Sequence, residues 1–97
     1  MKKIIWNEDK ALLLRSAGSR NQVGFEDCAL AIENGRVLDD ISNPSPLYPH
    51  QRIFVLEING YAHAVPYISD EKTIFLKTVF PSRKYTVMYL KEKHDDQ

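Results

Sequence analysis

The sequence predicts an α+β domain: a short N-terminal strand, two helices, an antiparallel β-meander and a C-terminal helix. Three observations predict it. Residues 52 to 58 and 61 to 68 are strand-like runs separated by Asn59-Gly60, a dipeptide suited to a two-residue hairpin because both turn positions take positive φ. Phe25, Cys28, Ala29 and Ile32 recur at the spacing of one helix face, and Asn34-Gly35 follows them as a stop. Asp70-Glu71 turns the chain into a third apolar run over residues 73 to 80, so three strands follow one another antiparallel.

From the N-terminus, Ile4-Ile5-Trp6 is a short strand, and Asn7 caps a helix over residues 8 to 16 with Glu8 and Asp9 at the positive end of its dipole. Its apolar residues, Ala11, Leu12, Leu13 and Leu14, are contiguous rather than arranged as a stripe. The chain then runs through Ser16-Ala17-Gly18-Ser19 to Gly24 as a loop carrying Arg15 and Arg20. The second helix covers residues 25 to 33, and Val37-Leu38 is a short strand. Pro44, Pro46 and Pro49 exclude regular structure between residues 42 and 49, since each removes a donor and fixes φ. Pro81-Ser82 ends the last strand, and residues 83 to 91 have helical spacing with Tyr85, Met88 and Tyr89 on one face. Residues 1–92 are expected to form one domain and 93–97 a disordered tail.

The bulk properties narrow the function. A chain of 97 residues fits one domain, so any site is built from this core or shared with a partner. Thirteen Lys+Arg balance 13 Asp+Glu, so a nucleic-acid role needs a local patch of charge. The single cysteine, Cys28, excludes an internal disulfide and fits a reducing compartment, as a small buried residue on a helix. The basic start Met1-Lys2-Lys3 leads into an apolar run that stops at Asn7-Glu8-Asp9, too short for a signal peptide. Nothing approaches the ~18 apolar residues of a membrane span. A soluble, cytoplasmic protein is expected.

The hairpin register sorts side chains by face. With Ile58 opposite Tyr61, one face collects Phe54, Leu56, Ile58, Tyr61, His63, Val65 and Tyr67; pairing Ile68 with Thr73 adds Ile74, Leu76, Thr78 and Phe80. This bulky face is the expected core, and His63 on it is expected as a buried histidine bonded to backbone. The thinner face collects Ile53, Val55, Glu57, Ala62, Ala64, Pro66, Phe75, Lys77 and Val79, and is expected to be open or covered by a partner. Lys77 then lies across from Ala64, a diagonal neighbour of Glu57 over an alanine floor. Pro66 within a strand implies an edge or a bulge, and a bulge inverts the faces on one side of it.

No phosphate-binding loop, dinucleotide fingerprint, zinc-protease helix or serine-hydrolase elbow occurs, and His50, His63 and His94 lack metal-ligand spacing. No cofactor and no metal are expected. What remains is cationic and acid-base chemistry. A metal-independent ribonuclease needs a group to accept the 2′-hydroxyl proton, one to hold the scissile phosphate and one to protonate the leaving oxygen. Residues of those types are His50 and Arg52 at the entry of the first meander strand, Glu57 and Lys77 on the thin face, and Arg83 and Lys84 where the sheet meets the last helix.

The order of four short motifs adds a resemblance. Trp6-Asn7-Glu8-Asp9-Lys10, Gly24-Phe25-Glu26-Asp27, Arg52 at the head of a strand and Ser82-Arg83-Lys84 after the last strand together resemble the BrnT-type toxins of bacterial toxin-antitoxin pairs. Those carry a W-[DN]-E-x-K opening, an [SG]-F-E-[DE] second helix, an Arg at that strand head and an [SA]-R-K close. The match spans nearly all of residues 3 to 90. It implies a RelE-like ribonuclease fold, RNA cleavage that halts translation, and a cognate antitoxin, usually a ribbon-helix-helix protein. The residues expected to act on RNA are Arg52, Lys77, Arg83, His50 and Glu57, with Lys84, Lys10 and Arg20 contacting the strand. Two departures stand out: Arg15-Ser16-Ala17-Gly18-Ser19-Arg20 replaces a Lys-His-Gly run, and the only cation of the last strand is Lys77, where the family usually has arginine. The alternative they leave open is a non-catalytic interaction module or degenerate toxin.

Overall fold

Asn59 and Gly60 lie at φ of 57° and 77° and close the hairpin turn that the dipeptide favours. Ile58 stands opposite Tyr61, and the pairing continues without a slip to Arg52 opposite Tyr67. The computed structural model describes residues 2–16 and 23–90. The elements in that range are β1 (Lys3–Trp6), α1 (Glu8–Ser16), α2 (Phe25–Glu33), β2 (Val37–Ser42), β3 (Arg52–Ile58), β4 (Tyr61–Ser69), β5 (Thr73–Leu76), β6 (Phe80–Pro81) and α3 (Arg83–Tyr89). The tail expected to be disordered, residues 93–97, lies outside the described residues.

The chain is α+β, with three helices among the described residues on a six-stranded sheet ordered β1-β5-β4-β3-β2, β6 pairing with β4 as well. The expected meander is β3-β4-β5. The sheet as a whole is mixed rather than antiparallel, because β1 joins β5 in parallel, from Lys3 beside Thr73 to Trp6 beside Leu76. No local turn joins those two strands, so no local signal announces the pairing.

β2 runs four residues beyond the expected Val37-Leu38, through Asp39 and Asp40, which as poor strand formers read as its end. Both carboxylates are used. Alternation along the strand sends them to opposite faces. The Tyr89 hydroxyl donates to Asp39, while Arg52 Nε at 3.1 Å and the Tyr67 hydroxyl at 2.7 Å donate to Asp40. One edge strand thereby ties both sides of the sheet.

The bulky face is the main core. Phe25, Cys28 and Ala31 of α2 and Ala11 of α1 pack with Phe54, Leu56, Val65, Tyr67 and Leu76 of the sheet. Phe25 stacks on Trp6 at 5.8 Å between centroids, and Phe54 on Tyr67 at 4.1 Å. The thin face is not simply open. Ile53, Val55, Ala62 and Ala64 form a second cluster under Tyr85, Tyr89 and Leu90, so the chain's own last helix covers part of it. The alanines leave the depth that two tyrosines fill. Backbone groups dock the helix: Ser82 N donates to Ala62 O, and Ala62 N donates to the Thr86 hydroxyl, each at 2.9 Å. Met88, expected beside the tyrosines, is 45% exposed.

The third run, expected as one strand over residues 73 to 80, is two. Asp70 accepts from the backbone N–H of Lys72 and Thr73, which makes Glu71-Lys72 the turn and pairs Ile68 with Phe75 rather than Thr73. A shift of two leaves the faces unchanged. Past Leu76, however, pairing resumes only at Phe80 opposite Ala64, so three residues, 77 to 79, span two of β4, Val65 and Pro66. Pro66 has no N–H to offer; its carbonyl alone is used, accepting from Lys77 N at 2.8 Å. The extra residue exchanges the faces. Val79, expected on the thin face, is buried in the main core, and Phe80, expected in the core, is 47% exposed on the thin face.

Candidate nucleic-acid interface

The break opposite Pro66 leaves the half of the thin face beyond α3 as an open cleft of about 640 Å³. Ile53, Ala64 and Pro66 form its floor. Lys77 contributes from the irregular segment between β5 and β6, Phe80 from β6, and Ser82, Lys84 and Tyr85 from the start of α3. Ser82 caps that helix, its hydroxyl accepting from Tyr85 N at 3.2 Å. Lys10 reaches the cleft from α1.

The proline-rich loop supplies a further wall with Tyr48 and Gln51. It is stitched to itself. Asn43 N donates to Gln51 O at 3.0 Å, Asn43 Nδ2 to the Gln51 side chain at 3.2 Å, and Ser45 N to Asn43 Oδ1 at 2.9 Å. Bonds from Tyr48 N to Ser45 O and from Gln51 N to Tyr48 O bracket the tyrosine. Irregular backbone with its polar groups satisfied can hold a side chain as a strand does.

The lining contains three lysines and, among the described residues, no Asp, Glu or His. None of the three lysines makes an ion pair among the described residues. Lys77 Nζ lies 5.1 Å from the Phe75 ring and Lys84 Nζ 5.6 Å from the Tyr85 ring. An aromatic face holds an ammonium without neutralising it. The zero net charge therefore conceals a local cationic patch.

Of the residues expected to act on RNA, Lys77, Lys84 and Lys10 come together here. Arg52 does not: it sits at the margin of the bulky face opposite Tyr67, with Nη2 2.8 Å from Asp40 O and Nε on the Asp40 carboxylate, which raises its pKa further. Glu57 faces Ala62 as expected, but its Oε2 accepts from Gly60 N at 3.1 Å and braces the hairpin turn. Lys77 lies at Pro66, four residues along β4 from Ala62 and so about 13 Å away, so the two are not diagonal neighbours. His50 and Arg83 are exposed and outside the lining, and Arg20 lies outside the described residues. Among the described residues no three His, Cys, Asp or Glu converge as metal ligands, and no helix is long and apolar enough to cross a membrane. Cleft residues that sequence reasoning passed over are Tyr48, Gln51 and Phe80. The prolines around Tyr48 were a usable signal for it, whereas the face of Phe80 depended on the bulge.

Two buried titratable groups stand apart from the cleft. Burial, with Asp27 nearby, pushes the Cys28 thiol up to about 12 and leaves it unreactive. His63 is 4% exposed with Nδ1 3.0 Å from Tyr61 O; a carbonyl only accepts, so Nδ1 carries the proton. Burial lowers the His63 pKa below its ordinary 6.5. The unfolded chain then binds the proton more readily, so stability is full above pH 6.5 and falls as pH drops towards the folded value. Urea unfolding should show a lower midpoint at pH 5 than at pH 7.5, and His63→Gln should flatten that difference; equal midpoints in the parent protein would contradict it.

Comparison of the chain with protein-family models, with curated proteins and with solved structures found no match.

Proposed function

We propose that the chain is the toxin of a bacterial toxin-antitoxin pair: a RelE-like, metal-independent ribonuclease that stops translation in the cytoplasm and is neutralised by a ribbon-helix-helix antitoxin. The observation that carries this reading is the acid-free cleft lined by Lys10, Lys77 and Lys84. Three unpaired ammonium groups around one concave surface favour a polyanion and stabilise the charge that develops on a phosphate under attack. The ordered BrnT-like motifs supply the rest, and two of them end in cleft lysines, Lys10 and Lys84. Proton transfer falls to tyrosine hydroxyls or lysines, the protonatable side chains that line the cleft. Because the charge is local, binding to free RNA is weak, and a scaffold such as the ribosome raises the effective concentration.

Purified free of any antitoxin, the protein should cleave RNA or arrest a cell-free translation reaction, and Lys77→Ala should lower that activity at least tenfold. Full activity in the variant removes Lys77 from the mechanism, and inactivity of the parent protein removes the ribonuclease.

One feature favours a second reading, a non-catalytic interaction module. Arg52 and Glu57 are engaged in holding the sheet together, and no carboxylate or histidine enters the cleft among the described residues. Induction of the chain alone in a bacterium separates the two. Growth arrest supports the toxin, and normal growth with abundant soluble protein supports the module.

A further inference from the structure

We infer that the cleft binds an unpaired nucleotide, with its phosphate on Lys77 and Lys84 and its base stacked on Tyr48 and Phe80. This rests on the RNA-directed reading above and says which part of the RNA the site recognises. The molecule has ten aromatic residues, all within the described range. Eight have a ring or ammonium partner: Trp6 with Phe25, Phe54 with Tyr67, Tyr61 with His63, Tyr85 with Tyr89, and Phe75 under Lys77. Among the described residues the two without one are Tyr48 and Phe80, and both line the cleft. They are 50% and 47% exposed, which leaves free aromatic surface beside unpaired cations.

Both rings stand on ordered backbone. Pro46 and Pro49 restrict the chain around Tyr48, whose backbone makes two hydrogen bonds, and Phe80 pairs with Ala64 and precedes Pro81. Ordered backbone loses little entropy on binding and an aromatic side chain has only two torsions to fix, which suits a stacking platform. Every base presents a π-face, but only when it is out of a helix; a duplex buries those faces in its own stack. A cleft of about 640 Å³ has the size of a site for one small organic ligand, not for a double helix. The ligand class is therefore an anionic phosphate carrying an exposed, unpaired base.

The test is fluorescence anisotropy with three probes of equal length: a single-stranded RNA oligonucleotide, the same strand in a duplex, and an abasic ribose-phosphate oligomer. The full chain should bind the single strand at least tenfold more tightly than the abasic oligomer. Tyr48→Leu and Phe80→Leu keep apolar bulk but no π-face; each should lose several-fold to tenfold on the single strand and nothing on the abasic oligomer. Equal affinity of the parent protein for base-bearing and abasic strands overturns the inference, as does full single-strand affinity in both leucine variants. Base-dependent binding without RNA cleavage or translation arrest leaves it standing and sinks the ribonuclease. Cleavage that persists unchanged in both leucine variants does the reverse.

Discussion

Alanine at Lys10, Lys77 and Lys84 together should abolish RNA binding at physiological salt. Each cation that neutralises a phosphate of a single strand releases counterions worth about 0.7 in the slope of log affinity against log salt, so the triple variant should lower that slope by about two units. The effect is large because nothing replaces the patch. With 13 positive and 13 negative side chains, the protein has no overall field to hold a polyanion once the cleft is discharged. Arg52→Ala is the informative control. It removes the same charge, but from a guanidinium held on Asp40 away from the cleft, so the slope should stay as it is. A salt titration of the parent and both variants decides the matter, and an unchanged slope in the triple variant would place the RNA elsewhere.

Phe25→Ala should be the most damaging single change to the fold, costing about 3 to 5 kcal/mol. Phe25 is fully buried at the N-terminus of α2, stacked on Trp6 of β1, and so joins the helical layer to the parallel edge of the sheet. Truncation leaves a cavity between α2 and β1. For a domain of this length the melting temperature should fall by roughly 12 °C or more. Calorimetry on the variant is the check, and a loss under 1 kcal/mol would mean the layers repack around the gap.

The parts of the fold governed by local chemistry were legible in the sequence. Asn59-Gly60 set the hairpin, and the register it imposed on β3 and β4 holds throughout. The phase of α2 was readable from Phe25 and Cys28, although Ala31 rather than Ala29 takes the third buried position. The misreadings come from interactions that are not local. Asp39 and Asp40 look like a strand end until Tyr89 and Arg52, far along the chain, are brought to them. The thin face reads as open or covered by a partner because nothing local shows that Tyr85 and Tyr89 of the same chain fold back over Ala62. Pro66 did announce an irregularity, but not that the neighbouring segment would absorb it as one extra residue between Leu76 and Phe80, and that residue exchanges the faces of Val79 and Phe80. Of the candidate site, the cations Lys10, Lys77 and Lys84 were named from sequence, while the rings beside them were not. Cation type is a local property. Which ring is left over is known only after every other ring has found its partner.

Pro66 marks the point where the ladder between β4 and β5 breaks. Residues 77 to 79 leave the ladder opposite Val65 and Pro66, where Lys77 and Thr78 line the cleft and Val79 turns into the core, and the proline there has no amide hydrogen with which to offer a rung. A residue with an amide hydrogen at position 66 returns a rung to the ladder and favours an unbroken strand from Thr73 to Pro81, with Phe80 turned inward and Val79 outward. The opening would then close without any of its lysines being altered.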